Sequence, residues 1–397
     1  MARAQSLVAG FFADDFAAER VQAGLAAMAP NSVAAMVSDV RHYRTWAGKV
    51  KLAPFPLDEA AIGRYLDGLE RSGRKASTAA RRLASLGRFV RLVGQREQLL
   101  VLQSDYVRDK LRGYERRKGV RVRKAAPIRF GNAADPIAGE GLNVMGLIAA
   151  CGEDLRGLRD AAMMMALYGG GLRVNELIAL RVGDVREDGQ GRAVLFLKSS
   201  KTDQVGAGTT VGLPAVAAKL IERWIEAAGI WYDKEAPLFR RVFAVRPPVR
   251  ELPHPRQDGR SLVEYAKEVR RVEAARVAAK REPLQLEPGR HPMTRQGVLH
   301  IVRTVVAAAI DGSFVDIGGL DRDEVIAGVG THSFRIGLTH DLFARNFDLG
   351  RVMLAQRWTS ATTAVGYARD LAGRSSAVGE LFDQFEAGRA AIGITQD

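Results

Sequence analysis

The sequence predicts a mainly α protein of two domains: a small basic helical bundle, then a larger α+β domain with one small antiparallel sheet. Three observations predict this. Apolar residues recur at helical spacing through most of the chain. A basic stretch near residue 120 loses that spacing just before Pro127. Strand–turn–strand patterning is confined to one place, residues 193–213. A chain of 397 residues has room for about two cores.

Residues 1–29 carry no sharp signal and are assigned as an arm or peripheral helix. The first bundle helix follows from Val33, Met36, Val37, Val40 and Ala47, interleaved with Arg41, His42, Arg44 and Lys49. Pro54 and Pro56 break the chain, and Asp58 is placed to cap a helix carrying Ile62, Tyr65, Leu66 and Leu69. After Ser72-Gly73 a third stripe runs through Leu83, Leu86, Val90 and Val93, on a helix that also carries Arg81, Arg82, Arg88 and Arg91. A fourth helix fits residues 104–118. The bundle is therefore bounded at 30–118 and a basic linker at 119–134. Nine basic residues crowd the segment 107–124, among them Arg116, Arg117, Lys118, Arg121, Arg123 and Lys124, against Asp109 and Glu115.

The second domain is bounded at 135–397. Helical patterns cover 141–151 and 158–168, the latter with three consecutive methionines that read as core filler. Gly169-Gly170-Gly171 lacks both the dinucleotide-fingerprint spacing and a Gly-Lys-Ser/Thr ending, so a nucleotide loop is rejected. A helix at 172–180 follows. Ala193–Leu197 and Val205–Leu213 form a hairpin around the turn SSKTDQVGAG, and a helix returns at 215–228. Residues 240–291 read as an irregular, Arg- and Pro-rich insertion, with a surface helix opened by a Ser261/Glu264 capping box. A helix from 294 to 309 leads into His332-Ser333-Phe334-Arg335, then to Trp358 and Tyr367. His332 and Arg335, three apart in a helical pattern, share one face.

The net charge is +14, from 59 Lys+Arg against 45 Asp+Glu, which indicates a polyanionic partner. Two arginine-bearing helices point to DNA, with Arg41, Arg44, Arg81, Arg82 and Arg88 as contacts alongside the linker residues named above. No apolar run is long enough to span a bilayer, and acidic residues at 14, 15 and 19 argue against a signal peptide. The single cysteine, Cys151, rules out an internal disulfide framework, fits a reducing cytosol and reads as a buried hydrophobe. Six scattered histidines give no metal site.

Gly171-Leu172-Arg173-Val174-Asn175-Glu176-Leu177, with Leu180 and Asp184, and His332-Ser333-Phe334-Arg335, followed by Trp358 and Tyr367, resemble the two arginine boxes of the tyrosine recombinases of the phage integrase family. Most of that family has Leu-Gly-His where this chain has Gln356-Arg357-Trp358; the tryptophan resembles the Cre recombinase subgroup. The resemblance covers roughly residues 30–390, and the insertion is its main departure.

The resemblance implies a C-shaped clamp on DNA and a catalytic set of Arg173, Glu176, Lys201, His332, Arg335, Trp358 and Tyr367. Tyr367 would attack the scissile phosphate, leaving a 3′-phosphotyrosyl bond and a free 5′-hydroxyl. Arg173 and Arg335 would hold the non-bridging oxygens. Lys201, with Lys198 as its rival, would protonate the leaving oxygen. His332 would assist proton transfer, Trp358 would donate its indole N–H, and Glu176 would orient its neighbours. No cofactor is implied, neither metal nor ATP. The partners implied are double-stranded DNA with inverted-repeat sites, bound by a monomer or dimer per site, and a homotetramer across two sites. A terminal exchange helix at about 375–388, with Val378, Leu381, Phe382 and Phe385, would close that ring. The setting implied is the cytoplasm of a bacterium, nucleoid-associated, in a bacterial or phage-encoded enzyme. A type IB topoisomerase, a telomere resolvase and a DNA-binding regulator that lost cleavage remain as alternatives.

Overall fold

The computed structural model describes residues 15–119, 125–131, 141–198, 208–245, 258–280 and 284–368. Lys201, Arg121, Arg123, Lys124 and the segment at 375–388 lie outside them. The chain divides into two compact units, residues 1–123 and 124–397.

The first unit contains helices α1 (Asp15–Ala26), α2 (Pro30–Lys49), α3 (Glu59–Arg71), α4 (Ala76–Leu92), α5 (Leu99–Gln103) and α6 (Asp105–Lys118). Asp58 caps α3 by accepting from the Ala61 amide at 2.7 Å, and Ser104 caps α6 through the Val107 amide at 3.3 Å. Val40, Ile62, Tyr65, Leu86, Phe89 and Val90 form the fully buried centre. The N-terminal segment is more than an arm: Val21 and Leu25 of α1 are buried in the same core. Too few apolar residues repeat there for the pattern to stand out from sequence.

Arg82 departs from its assignment to an exposed basic face. It is 9% exposed. Its guanidinium lies 3.0 Å from the His42 ring nitrogens and 3.7 Å from Asp39 Oδ1. The reason is helical phase: Arg82 stands three residues after buried Ala79 and four before buried Leu86, inside the apolar stripe. Asp39, itself 2% exposed, also accepts from Arg81 and, at 2.8 Å, from the Ser85 hydroxyl. Asp39→Ala would strand the Arg82 cation and the Ser85 donor in the interior. It is expected to cost about 3 kcal/mol of unfolding free energy in urea titration; a loss below ~1 kcal/mol, the scale of an exposed pair, would show that Asp39 does not hold a buried cation.

The second unit opens with α7 (Val144–Ala149), α8 (Leu155–Gly169) and α9 (Val174–Ala179). Asp154 caps α8 at the Gly157 amide, 2.8 Å away, and Met163, Met164 and Met165 are fully buried in the core. Cys151 packs half-buried against that core, and burial pushes its thiol up to about 12. Strands β1 (Val185–Glu187), β2 (Ala193–Leu197) and β3 (Thr209–Leu213) form an antiparallel sheet in that order, with Leu195 opposite both Val185 and Val211. Helix α10 (Ala215–Ala227) follows; its buried Trp224 donates to the Leu238 carbonyl at 2.8 Å.

The insertion is not irregular at its ends. Strand β4 (Arg240–Val245) pairs antiparallel with β5 (Gln285–Pro292), with α11 (Leu262–Lys280) between them in sequence. Pro288, Gly289 and Pro292 conceal β5 from a propensity reading, and the register shift near Arg240–Val242 absorbs the irregularity. The remaining helices are α12 (Arg295–Asp311), α13 (Arg322–Gly328), α14 (Ser333–Ala344), α15 (Leu349–Gln356) and α16 (Ala361–Ala368).

Helix α14 is fixed at both ends of its buried face. At Gly337 a Cβ would meet the Ile128 carbonyl at 1.6 Å, so only glycine allows residues 125–130 to lie this close. One turn on, buried Asp341 accepts from Arg129 Nε at 2.6 Å, the Phe130 amide at 2.9 Å and the Tyr168 hydroxyl at 2.6 Å. Burial and the adjacent carboxylate push the Tyr168 phenol well above its ordinary value, so it serves as a donor. Among the described residues no helix is long and apolar enough to cross a membrane.

Candidate functional site

Two parts of the chain more than 150 residues apart meet in one cationic cluster. The first is the glycine loop after α8 and the start of α9. Arg173 is the N-cap residue of α9. Its backbone amide donates to Glu176 Oε2 at 2.8 Å and its Nη1 to Glu176 Oε1 at 2.7 Å. The carboxylate therefore satisfies an orphan donor of the helix end and holds the guanidinium at the same time.

The second part runs from α14 to α16. Arg335 is 2% exposed. It donates to the Gly171 carbonyl and to the Gln356 carbonyl, so its planar fork bridges the two parts. Its own carbonyl accepts from Thr339 Oγ1 at 2.7 Å and from Gln356 Nε2 at 3.4 Å. Burial, with Arg173 and Arg357 nearby, pushes Arg335 down to about 9, while Glu176 and Tyr367 act the other way. It remains a cation at neutral pH.

Trp358 lies over Arg335, whose guanidinium carbon is 5.5 Å from the indole centroid. On the Trp358 ring stacks the Tyr367 ring, with centroids 5.1 Å apart and planes at 16°. An arginine, an indole and a phenol are thus layered in one place. His332 is exposed and forms the N-cap of α14, one turn before Arg335. Lys198 lies 3.6 Å from Asp184 Oδ1, and its side chain is half exposed.

Sequence reasoning missed Arg357. It sits at the end of α15 with φ 52° and ψ 49°, a left-handed conformation that costs a residue with a Cβ about 1 kcal/mol. The cap is of Schellman type: the Trp358 amide donates to Met353 O at 2.9 Å and the Arg357 amide to Leu354 O at 3.1 Å. The side chain then turns inward. Nη1 donates to Gly170 O at 2.9 Å, and Nη2 to Gly171 O at 3.0 Å and Glu176 Oε2 at 2.8 Å. The only available signal was the lack of glycine where the resembled turn carries one.

Glu176 is consequently the shared anion of the site. Burial alone would raise its carboxyl, but the Arg173 amide bond and the charges of Arg357 and Arg173 leave it below its ordinary value. Three guanidinium groups surround one carboxylate, a net charge of +2 from these four side chains. The glycine run contributes carbonyl acceptors for arginines. At Gly171 (φ +50°) a Cβ would press on Gln356 Oε1 at 3.1 Å and Leu338 Cδ2 at 3.2 Å.

Arg173, Glu176, Arg335, Trp358 and Tyr367 therefore converge, His332 stands at the rim of α14, and Lys201 lies outside the described residues. In the first unit Arg41, Arg44, Arg81 and Arg88 are exposed on the packed pair α2 and α4, and Arg116, Arg117 and Lys118 on the last turn of α6. Arg117 is engaged with Glu70 through two bonds of 2.8 Å, an exposed pair.

A family model described as "Phage integrase family" matches residues 141–374, and one described as "Phage integrase, N-terminal SAM-like domain" matches residues 22–96. The chain is 25% identical over 224 residues to an integrase/recombinase xerD homolog of Selenomonas ruminantium, covering 55% of this chain and 61% of that one. It is 24% identical over 226 residues to recombinase cre of Escherichia phage P1, covering 57% and 53%. The chain thus spans little more than half the length of the curated relatives it matches. Among solved structures, a XerH site-specific recombinase bound to palindromic difH substrate has a TM-score of 0.50 at 14% identity, covering 88% of this chain and 79% of that one. The Tn1549 transposon integrase in complex with circular intermediate DNA also has a TM-score of 0.50, at 13% identity and with coverages of 88% and 93%. At these identities the likeness is one of fold.

Proposed function

Because the chain belongs to the phage integrase family, we propose that it is a site-specific DNA recombinase that breaks and rejoins strands through a 3′-phosphotyrosyl intermediate. One observation carries the proposal: Arg335, Trp358 and Tyr367 are layered against an Arg173–Glu176 pair contributed by a distant part of the chain.

The chemistry follows from those groups. The Tyr367 phenol attacks the scissile phosphorus, the P–O5′ bond breaks, and the 5′-oxygen leaves as a hydroxyl after gaining a proton. Negative charge builds on the two non-bridging oxygens. Arginine supplies five N–H donors, of which Arg335 spends two on carbonyls, leaving the rest of its fork for the phosphate. Arg173 supplies a second fork, oriented by Glu176. Such donors act most strongly when fixed in advance and shielded from water. Lys201 gives the leaving oxygen its proton, and the Lys198 contact with Asp184 favours Lys201 over its rival. His332 assists proton transfer at the tyrosine, and the Trp358 indole donates without titrating.

Double-stranded DNA with inverted-repeat sites is the substrate, held by the exposed arginines of α2 and α4 and by the basic linker. Four protomers act on two sites, joined by the segment at 375–388. The bond energy stays in the phosphotyrosine, so strand exchange is expected to proceed in EDTA and without ATP. Sites recovered by in vitro selection and placed twice on one DNA should yield Holliday junctions and recombinant products. Supercoil relaxation or hairpin ends alone would instead indicate topoisomerase or resolvase action, and would contradict this proposal.

A further inference from the structure

We propose that Arg357 is a positioning residue for strand transfer, clamping the glycine loop, Glu176 and the turn bearing Trp358 into one rigid oxyanion pocket. This rests on the function proposed above and extends it to a residue outside the set expected from the resemblance.

All three bonds of the Arg357 guanidinium go inward, to Gly170 O, Gly171 O and Glu176 Oε2. Its side chain is 9% exposed and its Nε is buried without a hydrogen-bond partner. Arg357 is therefore organised around protein groups, and its effect must pass through them. Gly171 O is the point of convergence, accepting from both Arg335 and Arg357. The two arginines hold the same loop from neighbouring positions, one from α14 and one from the end of α15.

The clamp has two consequences. Glu176 Oε2 faces Arg357 while Oε1 faces Arg173, so the anion is divided between two cations. Without Arg357 the only guanidinium hydrogen-bonded to the carboxylate would be that of Arg173, leaving it more neutralised and less available to a phosphate oxygen. The turn that orients Trp358 would also lose its side-chain tie to the glycine loop, and with it the base on which Tyr367 stacks. The backbone points the same way. A left-handed position is best filled by glycine, yet an arginine occupies it and makes three bonds.

Arg357→Gly separates the two contributions, because glycine suits the backbone and removes only the clamp. Wild type and variant are compared for covalent adduct formation on selected, nicked DNA, for DNA affinity and for melting temperature. The expected result is adduct formation about 10- to 100-fold slower, the range seen when a group that orients a reacting ligand is lost, with DNA affinity retained. Millimolar guanidinium chloride should restore much of the rate, and sodium chloride at equal ionic strength should not. A wild-type rate in Arg357→Gly would overturn the inference, as would a slow rate that accompanies a lowered melting temperature and resists guanidinium. If Arg357→Gly does not fold, Arg357→Lys decides: a slowed rate at wild-type melting temperature supports the clamp, and a wild-type rate overturns it. If wild type forms no adduct, the functional reading itself fails, and oxyanion binding decides the inference. Tungstate should then raise the melting temperature of wild type but not of Arg357→Gly, and equal increases would overturn the clamp.

Discussion

Tyr367→Phe is expected to abolish the SDS-resistant protein–DNA adduct while leaving DNA binding and melting temperature unchanged. Phenylalanine keeps the ring that stacks on Trp358 at 5.1 Å, so the packing of α16 is preserved and only the hydroxyl is lost. Burial holds the Cys151 thiol protonated elsewhere in the unit, so it offers no substitute nucleophile. The readout is denaturing gel electrophoresis of adducts on the selected site, beside a gel-shift of the same DNA. An undiminished adduct would assign the nucleophile to another residue.

Arg335→Lys should be nearly as damaging despite keeping a positive charge. A single ammonium cannot reach both the Gly171 and Gln356 carbonyls and still present a planar pair of donors to phosphate. Removing one preorganised donor from an oxyanion site costs about 10²- to 10³-fold in rate, and this substitution also leaves a buried carbonyl short of its partner. Single-turnover cleavage is therefore expected to fall by about 10³-fold. DNA affinity should change little, because the proposal assigns most phosphate contacts to the exposed arginines of the first unit. A loss under about tenfold would show that charge alone suffices and that the fork geometry is incidental.

These two residues stood out in the sequence through a motif, His332-Ser333-Phe334-Arg335 followed by Trp358 and Tyr367, and the structure stacks the last two rings and sets Arg335 beside them. The bundle was legible from helical periodicity, through the stripes of α2, α3 and α4 and the Asp58 cap. Where sequence reasoning went astray, the physics is equally specific. Arg82 was read by its charge, although its place between Ala79 and Leu86 put it on the buried face. Strand β5 was hidden by prolines that an edge strand tolerates. Arg357 could not be foreseen because its role depends on a left-handed cap and on carbonyls almost 190 residues away in sequence. Local periodicity carries no information on such a contact.

Trp358 gains meaning from the same geometry. Where most of the family has a histidine, this chain has a ring that stacks on Tyr367 and covers Arg335. It can hold its neighbours and donate one hydrogen bond, but it cannot carry a proton. The proposed mechanism therefore assigns proton transfer to Lys201 and His332.

The proposed mechanism requires Tyr367 to become covalently joined to DNA beside this arginine cluster. Digesting the adduct formed on selected DNA and locating the nucleotide by mass spectrometry decides the matter. The expected result is a phosphodiester between a 3′-phosphate and the peptide containing Tyr367. A nucleotide on any other residue, or a 5′-linkage, would contradict it.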